Sequence, residues 1–195
     1  MAIAYASIRV ELREVSLANK PSAMLAISPK ATVPVLQFED RVIDESLEII
    51  DWALQQSDPH KWMRAEFRED AQQLIAENDT EFKLWLDKYK YWDRYPQYSQ
   101  HYYRAQAEQF IGRIENLLTQ NKFLLSGQIT VADIAILPFI RQFAFVDKAW
   151  FDRAPYPNLQ RWLEYLLASS LFVQVMHKLL PWQQGDPSVF FPADM

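Results

Sequence analysis

The stretch of sequence that decides the N-terminal fold is SPKATVPVLQFEDRVIDESLEII, which runs from Ser28 to Ile50. Residues 32–38 are mostly β-branched or apolar, residues 39–40 are typical of a tight turn, and residues 41–43 resume the strand pattern, which together predict a β-hairpin. Pro34 lies inside the first strand although it cannot donate a ladder hydrogen bond. We therefore expect Pro34 at a sheet edge or a bulge, where something other than a neighbouring strand faces it.

A helix is expected directly after the hairpin. Asp44 and Ser46 offer N-caps and apolar residues then recur at helical spacing, so the helix should begin near Glu45 and end near Gln56.

Upstream of the hairpin, residues 8–15 alternate apolar and charged side chains. That alternation predicts a strand with one buried face.

The chain changes character at residues 57–60, a polar break that contains a proline. Beyond the break, apolar residues recur with the 3.6-residue period of helices, so we expect one domain over residues 1–57 and an all-helical domain over residues 64–195. Within the second domain, Thr130 and Asp133 have the spacing of a capping box at the start of a buried helix. Loss of that cap is expected to cost about 0.5–2 kcal/mol.

The composition excludes several classes of function. The 195 residues include no Cys and three Gly, so the chain has no disulfide framework, thiolate zinc site, Cys nucleophile or glycine-rich phosphate loop. Its three His are far apart in sequence, which argues against a metal site. The net charge of −5, without any Lys/Arg run or long apolar run, argues against nucleic acid and membrane partners. With no Cys and no visible targeting segment, we expect a cytoplasmic protein.

Two motifs together resemble those of the glutathione S-transferase family, in its bacterial cytosolic form. The runs SPKATVPVL (residues 28–36) and IDESLEII (residues 43–50) are similar to the glutathione-binding half of that family. VADIAILPF (residues 131–139), with the cap at Thr130, resembles the folding motif of the family's helical domain. The resemblance covers nearly the whole chain and implies an α/β plus all-α fold: a thioredoxin-like N-terminal domain, truncated at its start, followed by an all-helical C-terminal domain.

The same resemblance implies a glutathione site in the N-terminal domain. Val33 would pair through its backbone N–H and C=O with the cysteinyl main chain of glutathione, next to a cis peptide bond at Pro34. Ser46 and the N–H groups of its helix would hold the γ-glutamyl carboxylate, and Glu45 would face the substrate ammonium. Lys30 is a candidate for the glycyl carboxylate, with a solvated surface charge as the alternative. For the start of the helix, the alternative is that its polar residues act only as N-caps.

In this family the helical domain supplies the pocket for the second substrate. In this chain the stretch from residue 85 to residue 103 is dense in Tyr and Trp among Lys and Arg, and aromatic rings beside cations suit a flat, partly anionic electrophile. The residues predicted to line the pocket are Lys88, Tyr89, Tyr91 and Trp92. The alternative is that these aromatic residues belong to the core or to a subunit interface.

The resemblance fails at the start of the chain. Family members open with a strand and a loop that carries the Cys, Ser or Tyr that activates the glutathione sulfur, whereas residues 1–7 look like the end of the helix that follows that loop. Tyr5 and Ser7 fall on this helix, so no catalytic residue is assigned. Either the true start lies upstream of Met1, or the chain is a naturally shortened paralogue.

Two functions are therefore expected from the resemblance. The first is a glutathione transferase that uses glutathione as co-substrate, needs no metal and, in complete form, conjugates or exchanges glutathione on a hydrophobic electrophile. The second is a non-catalytic interaction protein on the same scaffold. Whether the chain is an enzyme stays open on these residues, and the family resemblance implies a homodimer.

Overall fold

The structure is a computed structural model and describes residues 1–192 of the chain. Within them the chain forms two compact units. The N-terminal unit consists of Met1–His60 together with residues 170–192, and the helical unit consists of Lys61–Ser169. Among the described residues, no helix combines the length and the apolar composition that crossing a bilayer requires.

The N-terminal unit contains short helices and strands. Its helices are α1 (Ala2–Tyr5), α2 (Ser22–Ile27), α3 (Ser46–Gln56) and α10 (Ser170–Val175), and its strands are β1 (Val10–Glu11), β2 (Leu36–Phe38), β3 (Arg41–Ile43) and β4 (Phe190–Phe191). The strands pair as two separate antiparallel ladders, β1 with β4 and β2 with β3. Helix α1 packs on α3 around a buried cluster of small side chains, Ala2, Ala6 and Ala53.

The β-hairpin predicted from the sequence is confirmed. Leu36 pairs with Ile43, and the two strands are joined by a two-residue turn in which Glu39 has a φ of 49°. The first strand is shorter than predicted, because it begins only at Leu36. Pro34 lacks the N–H that a ladder needs, so residues 32–35 stay outside the ladder.

The strand predicted over residues 8–15 is present in part. Side chains alternate between half-buried and exposed from Ile8 to Arg13, which fits one buried face. Only Val10–Glu11 form a ladder, however. The ladder is short because β4, with two residues, is the only strand paired with β1 in the part of the chain that the structure describes.

The C-terminal stretch differs from the predicted domain division. Residues 170–192 group with the N-terminal unit, whereas the sequence pattern assigned them to the helical domain. The physical reason is backbone pairing, because β4 lies along β1 and the N–H of Trp182 donates to the carbonyl of Glu14 at 2.8 Å. Helix α10 also contacts α1. At the other end of the helical unit, the boundary at His60 coincides with the polar break.

The helical unit is built of apolar helix faces packed together. Its helices are α4 (Arg68–Glu77), α5 (Lys83–Lys90), α6 (Gln100–Gln120), α7 (Val131–Val146), α8 (Lys148–Phe151) and α9 (Pro157–Leu167). A π-helical turn, Asn78–Phe82, joins α4 to α5, and a 3-10 turn at Trp92–Arg94 follows α5. Its fully buried side chains include Phe82, Tyr89, Ile111, Ile114, Phe143 and Trp162.

Asp133 organises the interior of the helical unit. The predicted capping box is confirmed, because the Asp133 carboxylate accepts from the N–H of Thr130 at 2.8 Å at the start of α7. The same carboxylate also accepts from the N–H of Leu124 at 2.9 Å and from Nε1 of Trp162 at 2.8 Å. Burial raises the pKa of Asp133, and these hydrogen bonds oppose that rise by favouring the anion. One buried side chain therefore ties the start of α7 to α9 and to the preceding loop.

Candidate functional site

The polar residues that lead into α3 form a cluster around Lys30. The Nζ of Lys30 donates to Asp44 Oδ1 at 3.0 Å and to Glu45 Oε1 at 2.7 Å. Asp44 in turn accepts, at Oδ2, from the hydroxyl of the fully buried Ser28 at 2.9 Å. These bonds fasten the loop that precedes β2 to the start of α3. Ala31 turns this loop with a φ of 55°.

Ion pairing shifts the pKa values within this cluster. Hydrogen bonds to Glu45 and then to Asp44 raise the pKa of the Lys30 ammonium, and the bonds from Lys30 and then from Ser28 lower the pKa of the Asp44 carboxyl. The side chains of Lys30 and Glu45 are 53% and 58% exposed, so solvent weakens their attraction. At neutral pH the cluster holds one cation between two carboxylates and is net negative.

Helix α3 begins without a side-chain cap. Glu45 is the N-cap residue, Ser46 is the first helical residue, and the Glu45 side chain does not bond to the first turn. The sequence predicted Asp44 or Ser46 as the N-cap, and the structure corrects this, because Asp44 is held by Lys30 and Ser28 instead. The N–H groups of the first turn carry the positive end of the helix dipole. They are therefore available to an anionic ligand group.

Val33 presents unpaired backbone only a few residues from this cluster. The Val33–Pro34 peptide bond is cis, as the resemblance implies. Val33 is 46% exposed, and within the described residues neither its N–H nor its C=O makes a backbone hydrogen bond. An extended peptide can pair with such a backbone as an added strand.

Tyr5 is committed to bonds within the N-terminal unit. Its hydroxyl donates to Asp58 Oδ1 at 2.8 Å and accepts from the N–H of His60 at 2.6 Å. Burial raises the pKa of Tyr5, and the bond to Asp58 raises it further. Because its one hydroxyl proton points at Asp58, Tyr5 has none to offer a thiolate. Ser7, with a φ of 55°, follows the end of α1, and we assign no activating group among the described residues.

The helical unit contains a cavity of about 330 Å³ beside α5 and α6, lined by Trp85, Lys88, Tyr95, Gln97, Tyr98 and Tyr103. The Nζ of Lys88 lies 4.6 Å from the centroid of the Trp85 ring. The rings of Trp85 and Tyr103 are stacked, with their centroids 6.5 Å apart. The cavity therefore offers flat aromatic walls and one cationic group.

Tyrosine hydroxyls fix the loop that borders this cavity. Tyr103 donates to the carbonyl of Tyr95 at 2.9 Å and accepts from the N–H of Tyr98 at 3.2 Å. Tyr95 donates to Asp87 Oδ2 at 2.8 Å, a bond that raises the pKa of Tyr95. Hydrogen bonds within the helical unit thus fix the tyrosine side of the cavity.

Of the four residues predicted for the second-substrate pocket, the structure brings Lys88 to the cavity. Tyr89 lies in the core, where it is 1% exposed and its ring centroid is 5.4 Å from that of Phe143. Tyr91 and Trp92 follow the end of α5 and do not line the cavity. Trp92 is 48% exposed.

Helical spacing explains why Lys88 lines the cavity whereas Tyr89 lies in the core. The same spacing could have identified which residues of α5 line the cavity. Phe82, Leu86 and Tyr89 recur at intervals of four and three residues and are all buried, so they form the core face. Trp85 and Lys88 are three residues apart on the adjacent face, which borders the cavity. The prediction did not name the other residues that line the cavity, which are Trp85, Tyr95, Gln97, Tyr98 and Tyr103.

Family models match both halves of the chain. Residues 1–61 match the model described as glutathione S-transferase, N-terminal domain, and residues 64–164 match the model described as glutathione S-transferase, C-terminal domain. No curated protein sequence matches the chain significantly.

Solved structures share the fold. The chain is similar to a ternary complex of BphK, a bacterial glutathione S-transferase, at 23% identity and a TM-score of 0.73, with 88% of each chain covered. It is similar to glutathione S-transferase III in apo form, at 18% identity and a TM-score of 0.72, over 93% of this chain and 91% of that one. It is also similar to glutathione S-transferase I bound with lactoylglutathione, at 18% identity and a TM-score of 0.72, with 89% of each chain covered. These likenesses confirm a thioredoxin-like fold followed by a helical one. The two family models show that the chain belongs to the glutathione S-transferase family.

Proposed function

We propose that the chain binds glutathione on its N-terminal unit and that its reaction, once an activating group for the sulfur is in place, is transfer or exchange of glutathione on a hydrophobic electrophile. The observation that carries the proposal is the unpaired backbone of Val33 in the same unit as the uncapped start of α3. The family and the fold support the same function. The proposal includes a homodimer and a cytoplasmic location, both on the family resemblance.

Each part of glutathione has a complementary group in this proposal. The cysteinyl main chain pairs with the N–H and C=O of Val33, next to Pro34, as an added strand. The γ-glutamyl carboxylate accepts from the first-turn N–H groups of α3 and from the Ser46 hydroxyl. The γ-glutamyl ammonium lies against Glu45, and Lys30 is the candidate partner of the glycyl carboxylate.

Binding requires Glu45 to be shared, because its carboxylate already accepts from Lys30. Asp44 also accepts from Lys30, and the buried Ser28 hydroxyl anchors Asp44. Lys30 can therefore keep one carboxylate partner when Glu45 turns to the substrate ammonium. In this interpretation Asp44 positions Lys30 and does not touch glutathione.

The aromatic cavity of the helical unit is the proposed place for the second substrate. Its volume of about 330 Å³ lies at the small end of the range for small-molecule pockets. The Trp85 and Tyr103 rings suit a flat apolar body, and Lys88 suits an anionic substituent. No metal forms part of the proposal. Within residues 1–192, no group of three or more His, Asp or Glu is placed to hold a metal ion.

A non-catalytic interaction protein on the same scaffold is the second candidate. The observation that favours it is the commitment of the Tyr5 hydroxyl to Asp58 and His60, which leaves the described part of the chain without an assigned activating group. This candidate predicts a stable assembly without affinity for glutathione. The first candidate predicts affinity whether or not turnover follows.

The test is a calorimetric titration of the full chain with reduced glutathione. Glu45→Ala and Ser46→Ala are each expected to weaken binding roughly tenfold, about 1.4 kcal/mol, because each removes one partner of the γ-glutamyl group. Asp40→Ala is the matched control, since it removes an exposed carboxylate in the turn between β2 and β3. Absence of heat and of a thermal shift at millimolar glutathione would reject the proposed function in favour of the interaction protein.

A further inference from the structure

The segment of residues 182–191 lies along β1 and is attached at both of its ends. Next to the β1–β4 ladder, the N–H of Leu12 donates to the carbonyl of Val189 at 2.7 Å. At the other end, the N–H of Trp182 donates to the carbonyl of Glu14 at 2.8 Å. The backbone of residues 10–14 is thus engaged by two separated parts of the segment.

A tight turn connects these two points of attachment. The N–H of Asp186 donates to the carbonyl of Gln183 at 3.0 Å, and Gly185 has a φ of 100°. A type II turn needs a residue with positive φ at its third position, which Gly adopts without a steric penalty. The N–H of Gln183 also donates to Asp186 Oδ2 at 2.7 Å. The segment therefore has a local structure of its own between its attachments.

Two arginines of the β1 region hold the aromatic side chains of the segment. The guanidinium carbon of Arg9 lies 4.3 Å from the ring centroid of Phe190, and that of Arg13 lies 4.5 Å from the ring of Trp182. Residues four apart along an extended strand face the same side. Arg9 and Arg13 thus lie on one side of the strand, where each makes a cation–π contact with one aromatic ring of the segment.

Apart from these contacts the segment lies at the surface. Residues 183–190 are all exposed, and Phe190 keeps 45% of its surface exposed. Leu180, just before the segment, is 90% exposed. The attachment therefore depends on backbone hydrogen bonds and two arginine–aromatic contacts, rather than on burial in a core.

We propose that the edge of β1, together with Arg9 and Arg13, is a peptide-docking surface whose occupant is the chain's own segment of residues 182–191. The segment acts as a detachable strand. An open strand edge offers unpaired N–H and C=O groups to other chains, and proteins commonly cover such edges. The segment covers this edge, and its release exposes a surface on which a second copy of the chain can pair. This inference goes beyond the proposed function and does not depend on glutathione binding.

The test uses the full chain and the double variant Trp182→Ala/Phe190→Ala. Amide hydrogen exchange of Leu12 is expected to accelerate about tenfold or more, equivalent to about 1.4 kcal/mol, because its acceptor, the Val189 carbonyl, leaves more often. The amide of Leu124, bonded to Asp133 in the helical unit, is the reference and should keep its exchange rate. Arg9→Ala/Arg13→Ala should give the same acceleration from the other side of the contact.

A synthetic peptide with the sequence of residues 181–192 then tests the docking surface. Added to the Trp182→Ala/Phe190→Ala variant, the peptide is expected to restore protection of Leu12. It is also expected to reverse the concentration-dependent self-association that this variant shows by sedimentation beyond that of the wild type. The same peptide with Ala in place of its Trp and both Phe should do neither, and the single variant Leu180→Ala, in an exposed neighbour, should behave as wild type.

Three results would each overturn the proposal. Unchanged exchange of Leu12 in both double variants would show that the aromatic contacts do not hold the segment. Failure of the peptide to protect Leu12 would show that the edge is not a docking surface. Self-association of the double variants no greater than that of the wild type would show that the segment does not shield β1 from a second copy.

Discussion

Replacing Asp133 by Asn is expected to lower the free energy of unfolding of the helical unit by about 2–4 kcal/mol. The Asp133 carboxylate accepts from Leu124, Trp162 and Thr130, all buried. Asn keeps one carbonyl oxygen, but its NH₂ group takes the place of the second carboxylate oxygen and faces donors there. At least one buried N–H therefore loses its acceptor, which costs about 1–3 kcal/mol of stability. The remaining bonds weaken because the acceptor is neutral. Removal of a buried charge, whose desolvation raises the pKa of Asp133, offsets part of this loss.

Urea unfolding, followed by far-UV circular dichroism and by exchange of the Leu124 amide, measures this loss in the helical unit. Two probes are needed because the two units need not unfold together. Asp152→Asn is the matched control, because Asp152 is a surface partner of Lys148 and its loss should change stability by less than about 0.5 kcal/mol. The cap alone would account for about 0.5–2 kcal/mol. A loss below about 2 kcal/mol for Asp133→Asn, no larger than the cap alone explains, would refute the view that one carboxylate joins α7, α9 and the preceding loop.

Three further predictions concern other parts of the molecule. Glu115→Ala should destabilise the helical unit by about 1–2 kcal/mol in urea unfolding, because Glu115 accepts a hydrogen bond from the N–H of Leu159 at 2.8 Å at the start of α9. Glu115→Gln keeps one acceptor oxygen and should recover part of the loss. The pKa of Asp44 is lowered in the folded state, so its ionised form contributes stability above the unfolded pKa, and this contribution is lost as pH falls through the folded pKa. Asp44→Asn should therefore flatten the decline of the melting temperature below about pH 4. An unaltered decline would count against the pairing of Asp44 with Lys30. Lys88→Ala should weaken binding of anilinonaphthalene sulfonate, a flat aromatic anion, about fivefold by fluorescence titration, and equal affinity would exclude the aromatic cavity as its site.

Local patterns in the sequence predicted the features that depend on neighbours in the chain. The turn residues and alternation around Leu36 predicted the hairpin, and the spacing of Thr130 and Asp133 predicted the capping box. The motif around Val33 implied the cis bond to Pro34. The hairpin and the capping box depend on contacts within a few residues, which residue type and spacing can indicate, whereas only the family resemblance implied the cis bond.

Features that depend on distant partners could not be predicted in the same way. The pairing of β1 with Phe190–Phe191 joins residues far apart in sequence, and a two-residue strand has no periodicity to detect. The bond from Trp162 to the capping-box carboxylate is likewise invisible in the spacing of the box. For the cavity, an aromatic-rich stretch does not say which face of α5 each ring occupies, so the pattern does not separate the buried Tyr89 from Trp85, which lines the cavity.

The binding of glutathione at Val33 and the start of α3 is the central claim, and amide chemical shifts test it most directly. The measurement is a titration of the ¹⁵N-labelled full chain with reduced glutathione, followed at the amides of Val33, Ser46 and Leu47. We predict saturable shifts at all three, with one common dissociation constant, and much smaller shifts at the hairpin turn residue Asp40. Shifts confined to the helical unit, or none at millimolar glutathione, would contradict the claim.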